Sequence, residues 1–443
     1  MSALTSQAAR TLCKRVLAEA SFGDVRVHVR SAQKGDLRFG ASRPTTGGDI
    51  DTIAITVTAM QGGRHASVTG NRTDAASLRE LVKTAETLAA LAPVDPEAVG
   101  PLGPVKALRV AARDAKVAAM SPAARAEIVG EAIDAGKAAG LEVSGHLQHA
   151  DVAEAFADRK GLFAFHPSTQ LSLTVTCRTP DGTGSSKGGF TSHARAGLSA
   201  KELATSVATS ALRSREPKPI EPGRYRVLFM PDAVAELLDF MIGAMNARAA
   251  AEGRSFFAKA GGGTKLGEAV FDPRVTLWSD PADKQNPASP LADDGRPQQR
   301  TQWIEAGVVK SLHANRSYAQ MAGVPAIPRP SSIHMKGEDL SPEALLAKLD
   351  RGVVVTRLWY NRMLDPKRIV ATGLTRDGTF WVEGGKVSHP VKNLRFNDSP
   401  ITLLTKLVAL GRPERAGMMD DRVWVIPPLV VDGFAFESTS EAV

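Results

Sequence analysis

Cysteine is scarce, with only Cys13 and Cys177 in 443 residues. That is too few for a disulfide framework or a thiolate zinc site. Aromatic residues make up 5%, which argues against a surface that stacks exposed bases. No run approaches the roughly 18 consecutive apolar residues that a membrane helix needs. The opening Met-Ser-Ala-Leu-Thr-Ser-Gln shows neither a charged region nor an apolar stretch of the kind an export signal carries. The expected location is therefore cytoplasmic, with no membrane contact. Histidine is absent between His193 and His313, and neither H-E-x-x-H nor H-E-x-x-x-H occurs. His146 and His149 are three apart, but in an extended segment, where that spacing sets them on opposite faces. The spacing patterns that announce a zinc centre are missing.

What is present is ordinary for a folded chain: 43% hydrophobic and 23% charged residues. At roughly 100–200 residues per domain, the length predicts two or three domains. Lys and Arg outnumber Asp and Glu by 55 to 47, a net +8. The cations are scattered rather than clustered, so they read as a solvated basic surface, and nucleic acid is not the expected partner.

The apolar periodicity predicts an α+β N-terminal region over residues 1–215, built as a pseudo-repeat of 1–93 and 121–213. In the first copy a helix over Ser6–Ala20 precedes strands near Val25–Val29, Leu37–Phe39, Ile53–Val57 and Ala66–Thr69. A helix from Asp74 to Leu91 ends it, before Pro93. In the second, Ser121-Pro122 opens a helix to Gly140, strands follow near 141–147, 153–158, 171–177 and 190, and the capping box Ser199-Ala-Lys-Glu202 opens the last helix. Each copy thus reads helix–four-strand–helix. Phe39 matches Phe156, Ile55-Thr-Val-Thr matches Leu173-Thr-Val-Thr, and Glu80-Leu81 matches Glu202-Leu203. Glu216-Pro-Lys-Pro-Ile-Glu-Pro-Gly223 reads as a linker. Beyond it, residues 222–443 read as an antiparallel, barrel-like β-rich domain, with one long Ala-rich helix from Pro231 to Glu252 and turns at Arg376-Asp-Gly378 and Gly384-Gly385.

Two glycine motifs fail on context. Gly184-Ser-Ser-Lys-Gly188 has the letters of a nucleophile elbow, but Pro180-Asp-Gly182 precedes it and glycines follow, where strand and helix are required. Gly261-Gly-Gly-Thr-Lys-Leu-Gly267 lacks the strand–glycine–helix order of a dinucleotide site. Asp232, Glu236 and Asp239 fall at i, i+4 and i+7 of the predicted helix, which is the pattern of a solvated acidic stripe. The other reading of the stripe is a metal site completed by a distant histidine.

One set of segments carries a resemblance. Glu252-Gly-Arg-Ser-Phe-Phe257, Lys265-Leu-Gly267, Asp280-Pro281 and Trp303-Ile-Glu-Ala-Gly-Val-Val309 come in order, followed by Gly373-Leu-Thr-Arg-Asp-Gly-Thr-Phe380. Val382-Glu-Gly-Gly-Lys-Val387 and Pro390-Val-Lys-Asn393 complete the series. Together they resemble the TldD/TldE (PmbA) family of zinc metallopeptidases over nearly the whole chain. In that family the proteolytic subunit resembles a zinc peptidase with H-E-x-x-x-H on the helix after the linker and a later cysteine ligand. Here the corresponding positions fall near Leu238, Asp239 and Gly243, and no cysteine follows Cys177. The departure points to the TldE/PmbA-like, non-catalytic branch.

The resemblance implies no catalytic and no metal-ligating residue in this chain, and no cofactor of its own. It implies zinc in a TldD-like partner subunit and a heterodimer that degrades or trims unfolded peptides; a homodimer is the alternative assembly. Two other readings stand beside it. One is a self-sufficient metallopeptidase with atypical ligands. The other is a binding protein for peptides or for enzymes of DNA topology, with no proteolytic role. Residues that touch a peptide are not readable from the sequence.

Overall fold

The computed structural model describes residues 3–417 and 424–440. Its N-terminal half is one six-stranded antiparallel sheet with helices on a single face. The first helix, α1 (Ser6–Ala18), is capped by Thr5, whose hydroxyl accepts from the Ala8 amide. Strands β1 (Asp24–Gly40), β2 (Arg43–Gln61) and β3 (Arg64–Gly70) form a meander, closed by α2 (Ala75–Leu91). After the short α3 (Ala115–Ala118), the helix α4 (Pro122–Ala138) precedes β4 (Glu142–Asp158), β5 (Phe163–Arg178) and β6 (Ser185–Ser192). The helix α5 (Ala200–Arg213) completes the second segment. Strand order is β3-β2-β1-β4-β5-β6, so the two meanders join at their first strands.

The two segments thus share one sheet with their first strands at its centre, but each has three strands where the sequence pattern predicts four. Val25–Val29 and Leu37–Phe39 are the two ends of the single strand β1, and β4 likewise fuses the expected 141–147 and 153–158 segments. The apolar alternation lapses between them, around Gly35. There the buried Arg125 reaches down from α4 and pairs with Asp49 through two bonds of 2.7 and 2.9 Å. A Cβ on Gly35 would lie 2.1 Å from that guanidinium, so a polar stretch with glycine is required where an apolar one was sought. Pairing runs unbroken from Arg26 opposite Asp158 to Phe39 opposite Gly145.

Alternation gives the sheet a helix-covered apolar face and a mixed face, where Phe156, Ala164 and Val152 are buried among polar residues. Val25, Val27 and Val29 face α1 and α2, while Leu147, Leu171, Leu173 and Val175 face α4 and α5. The opposite face carries His28, Arg30, Glu154 and His166, with Thr56, Thr58 and Ser172 further out. This polar face turns toward the C-terminal half.

The C-terminal half holds the largest core. Strand β7 (Gly223–Phe229) pairs on one side with Gly352–Asp365 and on the other with Leu429–Thr439. Leu394–Asp398 and Val370–Glu383 continue the ring back to Gly352–Asp365, which closes a five-stranded barrel. The expectation of an antiparallel barrel needs one correction: β7 and Gly352–Asp365 run parallel. A parallel pair needs a long crossover, and the helix α6 (Pro231–Ala244) begins it. A second mixed sheet includes Leu277–Ser279, Thr301–Glu305 and Ile333–Met335.

Three local expectations also change. The Ala-rich helix breaks after Ala244, because Asn246 caps a new turn, its side chain accepting from the Ala249 amide. Arg376-Asp-Gly378 is not a hairpin turn; it lies inside the strand Val370–Glu383, with Asp377 at φ 57°. The proline-rich segment is not a free tether either, since Lys218 bonds through its amide to Pro390 and through its carbonyl to Lys392, along the barrel. The last three residues expected in the C-terminal part, and 418–423 within it, lie outside the described ones.

Candidate functional site

A groove runs between the polar face of the sheet and the end of α6. The strand-to-helix step at Met230–Pro231 sets the helix direction, with proline at the first helical position, where its missing N–H costs nothing. Val234, Leu237, Leu238, Met241 and Ile242 anchor α6 in the core. Asp232, Glu236, Asp239 and Gly243 are left on the other side, and they divide between different surroundings.

Glu236 accepts a 2.7 Å bond from Asn361 Nδ2. Burial pushes its carboxyl up to about 7, against the pull of Arg357 and Asn361. The expectation of a solvated stripe is thus wrong at its centre. Asp239 instead meets Arg329, with Nη2 to Oδ1 at 3.4 Å. A Cβ on Gly243 would lie 3.9 Å from the same guanidinium. Leu238 is fully buried and does not reach the groove. Of the three positions singled out by the resemblance, two border the groove and one belongs to the core.

Arg329 lines two adjoining cavities. One, of about 390 Å³, lies beside Asp239, Phe240, Gly243 and Met363. The other, of about 590 Å³, opens toward Glu154, Asn246, Asp293 and His313. Glu154 belongs to the N-terminal sheet, where it lies 3.5 Å from Arg30 and 3.8 Å from His28. Burial raises its pKa, Arg30 pulls it back, and Asp293 adds to the rise. Burial lowers His313, as does the neighbouring Arg329. The His313 Nε2 is buried without a hydrogen-bond partner among the described residues. His313 also pins the break in the helix, its amide donating to Met245 O and its carbonyl accepting from the Ala247 amide.

No group of three His, Cys, Asp or Glu side chains that could hold a metal occurs among the described residues. Cys13 and Cys177 are buried under the helices of the N-terminal sheet, away from the groove. Arg329, Asn361, Glu154 and His313 were not singled out as site residues from the sequence. They come from four distant segments, and the proline-flanked setting of Arg329 gave the one local hint of a fixed loop.

The groove is thus a two-sided cleft, polar on the sheet side and bounded by a helix end on the other. Such a cleft, between a mixed barrel and an antiparallel sheet, defines the class: residues 222–438 match the family described as PmbA/TldA metallopeptidase C-terminal domain. The chain belongs to the TldD/TldE (PmbA) family.

Solved structures share the whole fold. TldE from Thermococcus kodakarensis superposes with a TM-score of 0.85 at 14% identity, over 98% of this chain and 100% of that one. A Thermotoga maritima protein described as a candidate modulator of DNA gyrase gives 0.84 at 18% identity, over 97% and 100%. A Bacteroides thetaiotaomicron protein of the same description gives 0.84 at 21%, over 97% and 98%. No curated protein sequence matches the chain. No described helix is long and apolar enough to cross a membrane.

Proposed function

We propose that this chain is the non-catalytic subunit of a TldD/TldE-type zinc metallopeptidase in the cytoplasm. It pairs with a TldD-like subunit that holds the zinc, and it helps to hold unfolded peptide in the cleft. The observation that carries the reading is the surroundings of α6. Leu238 is turned into the core, Gly243 has no side chain, and Asp239 faces the guanidinium of Arg329. Zinc does not fit these residues, because a fixed cation beside the single carboxylate opposes a second cation. The sheet ends in the edge strands β3 and β6, which supports the peptide-holding part, since an extended chain can add to a free strand edge through backbone bonds that ignore its side chains.

The test is reconstitution with a TldD-like subunit carrying H-E-x-x-x-H. This chain alone is expected to retain no stoichiometric zinc after dialysis and to leave unfolded peptides intact. The two chains together are expected to co-elute and to hydrolyse them. Full peptidase activity from the partner without this chain, or one zinc per chain in the isolated protein, would overturn the proposal.

A further inference from the structure

A separate cavity of about 260 Å³ lies where the two halves meet, at the outer end of the sheet. Arg26 of β1 and Arg316, just after Asn315, both line it. Thr58, His65 and Ser317 also line it. Three carboxylates border this space, and each already has a side-chain partner. Asp95 meets His65 at 2.9 Å, and Glu97 takes both Nη atoms of Arg248 at 2.6 and 2.7 Å. Asp294 meets Arg296 at 2.8 Å.

The two arginines of the cavity are left over. Arg26 makes a single long bond, donating to the Asp294 carbonyl at 3.5 Å. Arg316 has no hydrogen bond or ion pair within 4 Å among the described residues. Both are half-buried, and they repel one another. Burial lowers the pKa of Arg316, Arg296 and Arg26 add to that, and Asp294 and Asp158 offset only part of it. A half-buried guanidinium without a hydrogen-bond partner keeps a desolvation cost that the neighbouring carboxylates offset only in part. Arg26 and Arg316, one from each half of the chain, border the same cavity, and each offers the fork of donors that a guanidinium presents to an oxyanion.

We infer that Arg26 and Arg316 form an oxyanion site that clamps the two halves of the chain around one carboxylate or phosphate group. The site is distinct from the cleft at α6, whose arginine is Arg329, and it does not depend on the proposed partner. An anion bound there completes the charge pairing at the seam and stiffens the contact between sheet and barrel.

The experiment uses the full-length protein at constant ionic strength, set with chloride. Three probes are titrated and followed by thermal unfolding and calorimetry: sodium phosphate, an N-acetylated pentapeptide with a free C-terminal carboxylate, and its C-terminal amide. The expected result is a saturable rise in Tm with phosphate, with the free-carboxylate peptide, or with both, and none with the amide. Which of the two acts separates a free ion from a peptide end as the source. Arg26→Gln and Arg316→Gln should each weaken that binding at least tenfold. Arg316→Gln should also unfold, without anion, at the wild-type temperature or above it, since an unpaired charge has been removed. Arg316→Lys should keep the charge but weaken binding by losing the fork. No saturable rise in the wild type, or the same rise in both glutamine variants, would overturn the site. A clear fall in the anion-free Tm of Arg316→Gln would also overturn it, because the arginine would then be a structural contact.

Discussion

His166 lies on β5 directly opposite Glu154. It is 3% exposed, and its Nε2 has no hydrogen-bond partner among the described residues. Burial alone holds its pKa down, from 6.5 to about 4. A histidine depressed in the folded state binds protons more readily when unfolded, so its contribution is complete above 6.5 and is lost as pH falls toward 4. Over the whole window the loss amounts to about 3 kcal/mol at 1.36 kcal/mol per pH unit, and about 2 kcal/mol of it has gone by pH 5. Urea unfolding at pH 7.5 and pH 5.0 measures this directly, with His166→Leu as the comparison. The wild type should lose about 2 kcal/mol more between the two pH values than the variant. An equal loss in both proteins would refute the reasoning, for it would mean that His166 gains a proton without unfolding the sheet. Burial lowers His28, His193, His313 and His334 in the same direction, so the residual acid sensitivity of the variant should itself be substantial.

Glu236 should show the reverse sign. Its folded pKa is raised to about 7, so stability declines as pH rises from 4.5 to 7, and Glu236→Gln should flatten that part of the profile by up to about 3 kcal/mol in urea unfolding. Gly35→Ala should cost about 3 kcal/mol or more, read as a lower urea midpoint, because its Cβ would lie within 2.6 Å of Arg125, His149 and Asp49. Asp377→Ala should cost about 3–5 kcal/mol in thermal unfolding. It strands the buried Arg357, held at 2.8 Å, and removes the acceptor for Ser185 Oγ across the junction of the two halves.

The sequence pattern was most readable where one face of an element is apolar throughout. The helix starts at Asp74, Ser121 and Ser199 all cap as expected, each side chain accepting from an amide three residues on. The match between Ile55 and Leu173 was readable for the same reason: both are core positions, opposite Val29 and Leu147. Strand continuity was not readable, because it depends on Arg125 arriving from a helix some 90 residues downstream of Gly35. The parallel strand in the barrel was hidden too, since direction is fixed by a crossover of over 100 residues between β7 and Gly352. At the cleft, α6 could be found from the segment that follows the linker. What faces it could not, because Arg329, Asn361 and Glu154 are brought there by tertiary contacts alone.

The seam between β1 and β4 has a consequence for whether either meander can stand alone. Strand β4 starts at Glu142, 118 residues after β1 starts at Asp24. The same interval separates Gln33 from Asp151, which lie directly opposite one another. A residue and its counterpart in the other meander therefore meet at the centre of the seam. The pairing covers the first strand of each three-stranded meander with that of the other, so separating the two meanders would expose both of these long edges at once. One meander contributes Arg26 at the junction with the barrel, and the other contributes Ser185 and Glu154.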